Sequence, residues 1–249
     1  MTFGDLTLAQ IALVAVTALG AQIIGGLAGY GTGLLMPLVL VPIIGAQAVV
    51  PVIGLSAVIT NATRVATFRQ NLDVRKALLI TATALPGTAL GAWAYSLLSA
   101  RGAAILIGAM LIILVPVRRI FAHRRMRLSD RGLAASGAVY GVLSGGTSGA
   151  GVILLSLLMG AGLSGTHVIA TDAAISFLLG IVKSGTFMAT GALPPEHWLL
   201  ALLIGAMATP GTIIAKWLTR KFSAQVHDAL LEGSIIVGGL MLLIRNIAA

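Results

Sequence analysis

Residues 25–31 read Gly-Gly-Leu-Ala-Gly-Tyr-Gly, and residues 145–151 read Gly-Gly-Thr-Ser-Gly-Ala-Gly. Both stretches follow one pattern, GGxxGxG, and the second lies 120 positions after the first. Two further landmarks recur in the same order at nearly the same offset: Arg64 with Thr67-Phe68 returns as Lys183 with Thr186-Phe187, and Pro86-Gly87-Thr88 returns as Pro210-Gly211-Thr212. The chain is therefore predicted to consist of two repeats, residues 1–125 and residues 126–249.

The composition is that of a protein surrounded by lipid. Of the 249 residues, 58% are hydrophobic and only 9% are charged, whereas a soluble domain carries about 25% charged residues. We therefore expect residues 1–249 to form a single transmembrane domain. The net charge of +9 does not indicate nucleic-acid binding, because the basic residues lie in short gaps between apolar runs. The absence of cysteine excludes disulfides and thiol chemistry.

Apolar runs of the length needed to cross a bilayer, about 20 residues, recur along the chain. The predicted spans are residues 7–28, 47–68, 77–98, 102–121, 131–149, 166–190, 197–218 and 227–247. Two shorter runs, residues 32–44 and 150–161, directly follow the glycine stretches. A helix over the first of them covers only about 20 Å, less than the roughly 30 Å hydrocarbon core. These runs therefore predict half-length or steeply tilted helices.

Basic residues indicate the orientation, because short loops rich in Lys and Arg stay in the cytoplasm. They form three clusters: Arg69, Arg75 and Lys76; Arg118, Arg119, Arg124, Arg125, Arg127 and Arg131; and Lys216, Arg220 and Lys221. The span ending at Phe68 then exits into the cytoplasm, while its counterpart ending near Thr190 exits outside. The sequence thus predicts an all-α, polytopic membrane helical bundle of two inverted repeats, with broken or half-length helices at the glycine stretches. Inverted repeats are typical of secondary transporters.

Two basic residues, Arg64 and Lys183, occupy equivalent positions in the two repeats and lie at membrane depth. A charge there costs about 3 kcal/mol on insertion scales, so each needs a compensating role. Two cations that converge on one cavity would suit a small oxyanion, because Arg offers a planar fork and Lys a compact charge. The alternative is that both side chains snorkel, and Arg64 is only about one helical turn from the cytoplasmic loop.

Asp172 is an acidic residue within a predicted span and has no acidic counterpart in the first repeat. It is a candidate for coupling transport to protons or another ion, or for pairing with a cation on another helix. A structural salt bridge or a helix-end position is the alternative. It precedes Lys183 by 11 residues, about 16 Å along a helix axis, so these two residues are not expected to pair directly.

The glycine stretches allow two interpretations that are compatible with each other. As packing motifs, they place a small residue at every fourth position and let helices approach closely. As helix breaks, they expose backbone N–H groups and a half-helix N-terminus that attract an anion. The candidate substrate-binding residues of the breaks are Gly29, Gly31, Thr32, Thr147, Ser148 and Gly149. The intramembrane amides Gln22 and Asn61 are further candidates, unless they only join helices.

Catalytic and metal-binding patterns are not visible in this sequence. It contains no metal-ligand cluster, no Ser/His/Asp set and no pair of carboxylates, and its four histidines lie far apart. We therefore predict no enzymatic activity, no metal and no cofactor.

The two glycine stretches, each running into a leucine-rich short segment, resemble the TauE/SafE sulfite exporter family of membrane permeases. Ala-Thr-Asp at residues 170–172 and the span that leads to Gly-Ala-Leu-Pro-Pro at residues 191–195 also resemble the second half of that family. The first half departs from the family pattern, because residues 29–33 read Gly-Tyr-Gly-Thr-Gly where a denser glycine run is common. The resemblance implies movement of small sulfur-containing or carboxylate anions across the bacterial inner membrane.

The functional hypothesis is a secondary transporter of a small anion such as sulfite, an organosulfonate, or a related sulfur or carboxylate oxyanion. Alternating access would come from rocking of the two halves around the glycine breaks. A passive anion channel is the alternative, because it would use the same cations. The expected partners are the anion, protons or another coupling ion, and membrane lipid; nucleic acid is not expected, and a homo-oligomer stays open.

Overall fold

The computed structural model describes residues 6–28, 32–123 and 128–218, and all regular structure in these ranges is helical. The α-helices are α1 (Leu8–Ala28), α2 (Thr32–Ile44), α3 (Ala46–Phe68), α4 (Val74–Ser96), α5 (Ala100–His123), α6 (Asp130–Gly146), α7 (Gly151–Gly160), α8 (Thr166–Ala189), α9 (Trp198–Ala206) and α10 (Ala208–Leu218). The all-helical prediction is confirmed for these ranges. The predicted span at residues 227–247 lies outside the described residues.

Within the described ranges, four helical segments are long and apolar enough to cross a membrane. They are Ala46–Asn71, Val74–Ser96, Thr166–Ala189 and Pro195–Ile214. The last of them is interrupted at Met207, between α9 and α10. Pro210 explains the interruption, because it has no N–H to donate to the carbonyl four residues earlier. The protein is therefore a multi-pass membrane protein. Of its shorter apolar helices, two precede the first of these spans and two follow the second.

The second glycine stretch breaks a helix, as predicted. Helix α6 ends at Gly146 and α7 begins at Gly151, so residues 147–150 are not helical. Gly149 has a φ of 90°, in the left-handed region that glycine adopts without strain. In the first half α1 ends at Ala28 and α2 begins at Thr32. Gly29 and Gly31 lie between them, outside the described residues.

Glycines also let α4 and α6 pack at very short distance, so the packing interpretation holds alongside the break. A Cβ atom on Gly141 or Gly145 of α6 would overlap the backbone carbonyl oxygen of Ala84 or Thr88 of α4. From the other side, a Cβ atom on Gly91 of α4 would overlap a backbone carbonyl of α6. Close approach of this kind is how helices associate in lipid, where no hydrophobic driving force holds them together.

Helices α3 and α8 pack against each other in opposite directions. Gly54 contacts the stem of Lys183, Val58 contacts Gly180, and Arg64 pairs with Asp172. As the residue number rises along α3, that of its partner falls along α8. The start of α8 therefore lies beside the loop after α3, where the ring Nδ1 of His167 is 2.8 Å from the carbonyl oxygen of Asn71. The inverted relation of the complete repeats stays a prediction.

The apolar core has two parts, one on each side of this helix pair. One part joins α1, α2, α3, α5 and α9 around buried side chains such as Met36, Leu40 and Val49. The other joins α4, α6, α7 and α8 around Ile80, Leu154 and Ile175. This arrangement leaves the polar residues of α3 and α8 between the two parts.

The N-terminal end of α4 has a capping carboxylate. Asp73 accepts hydrogen bonds from the backbone N–H of Lys76 at 3.0 Å and from its ammonium at 2.9 Å. The backbone hydrogen bond, followed by the side-chain one, lowers the pKa of Asp73 below 3.8. The contribution of this cap to the free energy of unfolding is therefore fully present at pH values above the pKa that Asp73 has in the unfolded chain. It is lost as the pH falls through the lower pKa that Asp73 has in the folded protein.

We expect Asp73→Ala to lower the free energy of unfolding by about 1 kcal/mol at neutral pH, the usual contribution of an N-cap. The difference from wild type should shrink in strong acid, where the carboxyl of the wild type is protonated. Thermal unfolding of detergent-purified protein across pH measures this. Asp73→Asn is the control because asparagine also caps helices, and equal midpoints for Asp73→Ala and wild type at neutral pH would contradict the assignment.

Candidate functional site

A cavity of about 710 Å³ lies between α3 and α8 and extends to α1, α2, α6, α7 and α10. The predicted site residues that line it are Gln22, Thr32, Asn61, Arg64, Thr147, Ser148, Gly149, Asp172 and Lys183. Every predicted site residue within the described ranges is therefore at one cavity. Their role in binding stays a prediction.

The two half-length helices start at this cavity, where the first turn of α2 contacts the break that precedes α7. A Cβ atom on Gly33, in the first turn of α2, would lie 2.5 Å from the backbone nitrogen of Gly149. Helix α7 begins at Gly151 without a side-chain cap, so its first N–H groups have no side-chain partner. The first N–H groups of a helix have no intrahelical acceptor and carry the positive end of its dipole. Two such ends at one cavity favour an anionic ligand.

Lys183 is buried and does not snorkel. Its ammonium donates to the carbonyl oxygens of Ser144 and Thr147, each at 2.7 Å. Its aliphatic stem packs on Gly54, where an added Cβ atom would lie 3.3 Å from Cε of Lys183. These carbonyls belong to the C-terminal end of α6, where the helix dipole is negative. An ammonium has three donors, and two of them hold the broken end of α6.

Arg64 points into the cavity and pairs with α8. One guanidinium nitrogen, Nη1, lies 3.4 Å from Oδ2 of Asp172 and 3.4 Å from Oδ1 of Asn61. Both distances exceed the usual range for N–H···O hydrogen bonds, so the guanidinium is held weakly. Of the roles considered for Asp172, the structure shows the pairing with a cation on another helix.

The sequence analysis considered two cations that converge on one cavity. In the structure both side chains line the cavity, but at different positions along it. Lys183 lies beside Gly54 and Arg64 beside Asp172, so their backbone positions are separated by about 15 Å along α3. In an antiparallel helix pair, equivalent residues on the two helices lie on opposite sides of the crossing point. Arg64 and Lys183 therefore mark two levels of one cavity.

The two levels differ in the exposure of the residues that line them. Thr67 and Thr166 line one level and are exposed, whereas Gly54 and Lys183 line the other level and are buried. Exposed residues of α10, such as Ile213, also line the cavity. The exposed level at Thr67 adjoins the basic loop between α3 and α4, which the charge distribution predicts to be cytoplasmic.

Several polar residues of the cavity were missed by the sequence analysis, among them Thr60, Tyr140 and Ser176. Thr60 accepts a hydrogen bond of 3.1 Å from the amide of Gln22. An uncharged hydroxyl within a span gives no signal by itself. Ser176 was nevertheless within reach of sequence reasoning, because residues 172, 176, 180 and 183 follow the spacing of one helix face.

Groups of three or more His, Cys, Asp or Glu side chains that would hold a metal ion do not occur in the part of the chain that the structure describes.

Comparison with protein-family models gives one match, to the family described as sulfite exporter TauE/SafE, over residues 14–242. This range contains both glycine stretches and all predicted site residues, and it confirms the resemblance drawn from them. No curated protein and no solved structure gave a significant match to the chain.

Proposed function

The chain belongs to the TauE/SafE sulfite exporter family, a family of membrane transporters and not of enzymes, and from that premise we propose that it is a secondary transporter of a small oxyanion. The substrate is sulfite, an organosulfonate, or a related sulfur or carboxylate anion. It crosses the bacterial inner membrane by alternating access. The family itself implies the anionic, sulfur-containing class of substrate.

The observation that carries the proposal is the meeting of three sources of positive potential at one cavity. The N-terminal turns of α2 and α7 and the buried ammonium of Lys183 all line it. Backbone N–H groups at broken helices bind anionic substrate groups in transporters of several folds. A volume of about 710 Å³ lies within the usual range of small-molecule sites and leaves space for an organic group beside the oxyanion.

The lining of the cavity favours a transporter over the passive channel. A channel requires a continuous path, whereas Gly54 and Lys183, which line one level of the cavity, are buried in the described part of the chain. We propose that the exposed level at Thr67 and Thr166 opens toward the cytoplasm, and that alternating access consists of closing this level and opening the other.

The proposal is tested by flux measurements on purified protein in proteoliposomes. Sulfite, thiosulfate, methanesulfonate, taurine and small carboxylates are screened first for binding and then for uptake. A transporter gives an initial rate that saturates with anion concentration. A rate that rises linearly without saturation, or binding of none of these anions, would overturn the proposal.

We expect Arg64→Ala to weaken anion binding at least tenfold, equivalent to about 1.4 kcal/mol, because the exposed level of the cavity loses its fixed cation. The matched control is Arg75→Ala. Arg75 is also an arginine of the cytoplasmic half, but it pairs with Asp130 on the surface and is 82% exposed. Equilibrium binding of thiosulfate to both variants measures the effect. Equal affinities would remove Arg64 from the site.

A further inference from the structure

We propose that Asp172 is the proton-binding residue that couples anion transport to proton movement, because the substrate anion and the Asp172 carboxylate compete for the same guanidinium, that of Arg64. The inference rests on the proposed function and specifies its coupling ion. A protonated Asp172 releases Arg64 to the anion, and an ionised Asp172 takes Arg64 back. Proton and anion therefore bind together and cross the membrane in the same direction.

The two oxygens of Asp172 have different surroundings. Oδ2 accepts the hydrogen bond from Arg64, whereas Oδ1 is buried and has no hydrogen-bond partner among the described residues. The residue is 3% exposed and lines the cavity. An ionised carboxylate at a buried position normally has its oxygens satisfied. Oδ1 is therefore the site at which a proton reaching the cavity is accepted.

Arg64 is the cation that faces Asp172 among the described residues. On α6 the titratable group at the cavity is the phenol of Tyr140, and α7 carries no titratable side chain. On α4, Lys76 pairs with Asp73 and Arg75 with Asp130. These pairs hold the neighbouring charges at the loop, so the charge of Asp172 is balanced by Arg64.

On α8 itself, the two titratable neighbours of Asp172 are held elsewhere. His167 bonds the carbonyl of Asn71 at the start of the helix, and the ammonium of Lys183 binds carbonyls at the other end of the cavity. Asp172 and Arg64 therefore form a separate two-residue unit within the cavity.

The charge balance of this exchange favours coupled movement. In the empty state, Arg64 and the Asp172 carboxylate sum to zero. When one proton adds to Asp172 and one monovalent anion binds Arg64, the pair and its ligand again sum to zero. An anion that bound Arg64 without the proton would leave two negative charges, one of them on the buried carboxylate of Asp172, beside a single guanidinium, which is unfavourable.

The first test uses the unaltered protein with methanesulfonate, the monovalent anion of a strong acid, whose own charge does not change between neutral and mildly acidic pH. We expect affinity to rise as pH falls, approaching about tenfold for each pH unit, the limit set by uptake of one proton per anion. In proteoliposomes with the membrane potential clamped by potassium and valinomycin, uptake should acidify an internal pH-sensitive dye.

The second test compares Asp172→Asn with Asp73→Asn, the same chemical change in a carboxylate at the loop. Asparagine at 172 keeps the shape but cannot ionise, so the affinity should stay at the level that the wild type reaches in acid, independent of pH. Uptake should no longer acidify the vesicles. Asp73→Asn should keep the pH dependence and the acidification. Monodispersity and thermal unfolding establish that each variant is folded.

The outcomes separate this inference from the proposed function. Saturable uptake by the wild type with no acidification and no pH dependence would overturn proton coupling and leave the transporter intact. A folded Asp172→Asn that retains wild-type pH dependence would also overturn it. Absence of saturable uptake for every anion of the screen would overturn the transporter, and the coupling with it.

Discussion

Replacement of Lys183 by methionine is expected to weaken the binding of thiosulfate or methanesulfonate about 100-fold. Among the described residues, Lys183 is the only basic side chain at the buried level of the cavity. Its ammonium binds the carbonyl oxygen of Thr147, in the break that precedes α7. Truncating one partner of a buried, hydrogen-bonded charge costs about 2–5 kcal/mol, and 100-fold corresponds to about 2.8 kcal/mol. Equilibrium binding measures the change, with Lys76→Met as the matched control at the loop.

The same ammonium also caps α6, so binding and folding have to be measured separately. Methionine leaves the carbonyls of Ser144 and Thr147 without their donor, which should lower the unfolding temperature. Lys183→Arg keeps a cation with several donors and should recover the unfolding temperature more fully than the affinity, because the guanidinium is larger and planar. If folded Lys183→Met bound both anions as tightly as Lys76→Met, Lys183 would be a helix cap alone.

Replacement of Gly145 by alanine is expected to destabilise the protein by at least about 3 kcal/mol, the upper part of the range for overpacking. The new methyl group would overlap the carbonyl oxygen of Thr88 and lie 2.8 Å from the backbone nitrogen of Ala92. Both obstacles are backbone atoms of α4, so relief requires the two helices to separate. Gly141→Ala should act similarly through Ala84.

Gly20→Ala provides the control for helix propensity. Gly20 is also within a helix, α1, but a Cβ atom there would meet nothing within 4 Å, and alanine is the better helix former. We expect its unfolding temperature to equal or exceed that of wild type. Thermal unfolding in detergent and the yield of monodisperse protein measure the stability of both variants. A Gly145→Ala protein as stable as wild type would contradict the close packing of α4 and α6.

The long spans were predictable because hydropathy reflects lipid contact directly. Residues 47–68 and 166–190 were predicted as spans, and α3 and α8 cover almost the same residues. The break at residues 147–150 was predictable as well, since glycine density marks the positions where a helix is weakest. These features depend on the local sequence and on the solvent alone.

The pairing within the cavity was not predictable in the same way. The sequence shows that Arg64, Asp172 and Lys183 are at membrane depth, but partner choice depends on the rotation and height of α3 relative to α8. Both are set by packing contacts such as Val58 against Gly180. For the same reason, the sequence did not reveal that Lys183 holds the carbonyl end of α6.

The opposite directions of α3 and α8 bear on how the two sides of the cavity can differ. Turning this helix pair end over end exchanges the level of Arg64 with the level of Lys183, so its backbone has no preferred direction across the membrane. The side chains remove this symmetry, because a carboxylate stands beside Arg64 whereas neutral carbonyls surround Lys183. Within this pair, the two levels are thus distinguished by unlike chemical environments and not by the direction of the backbone.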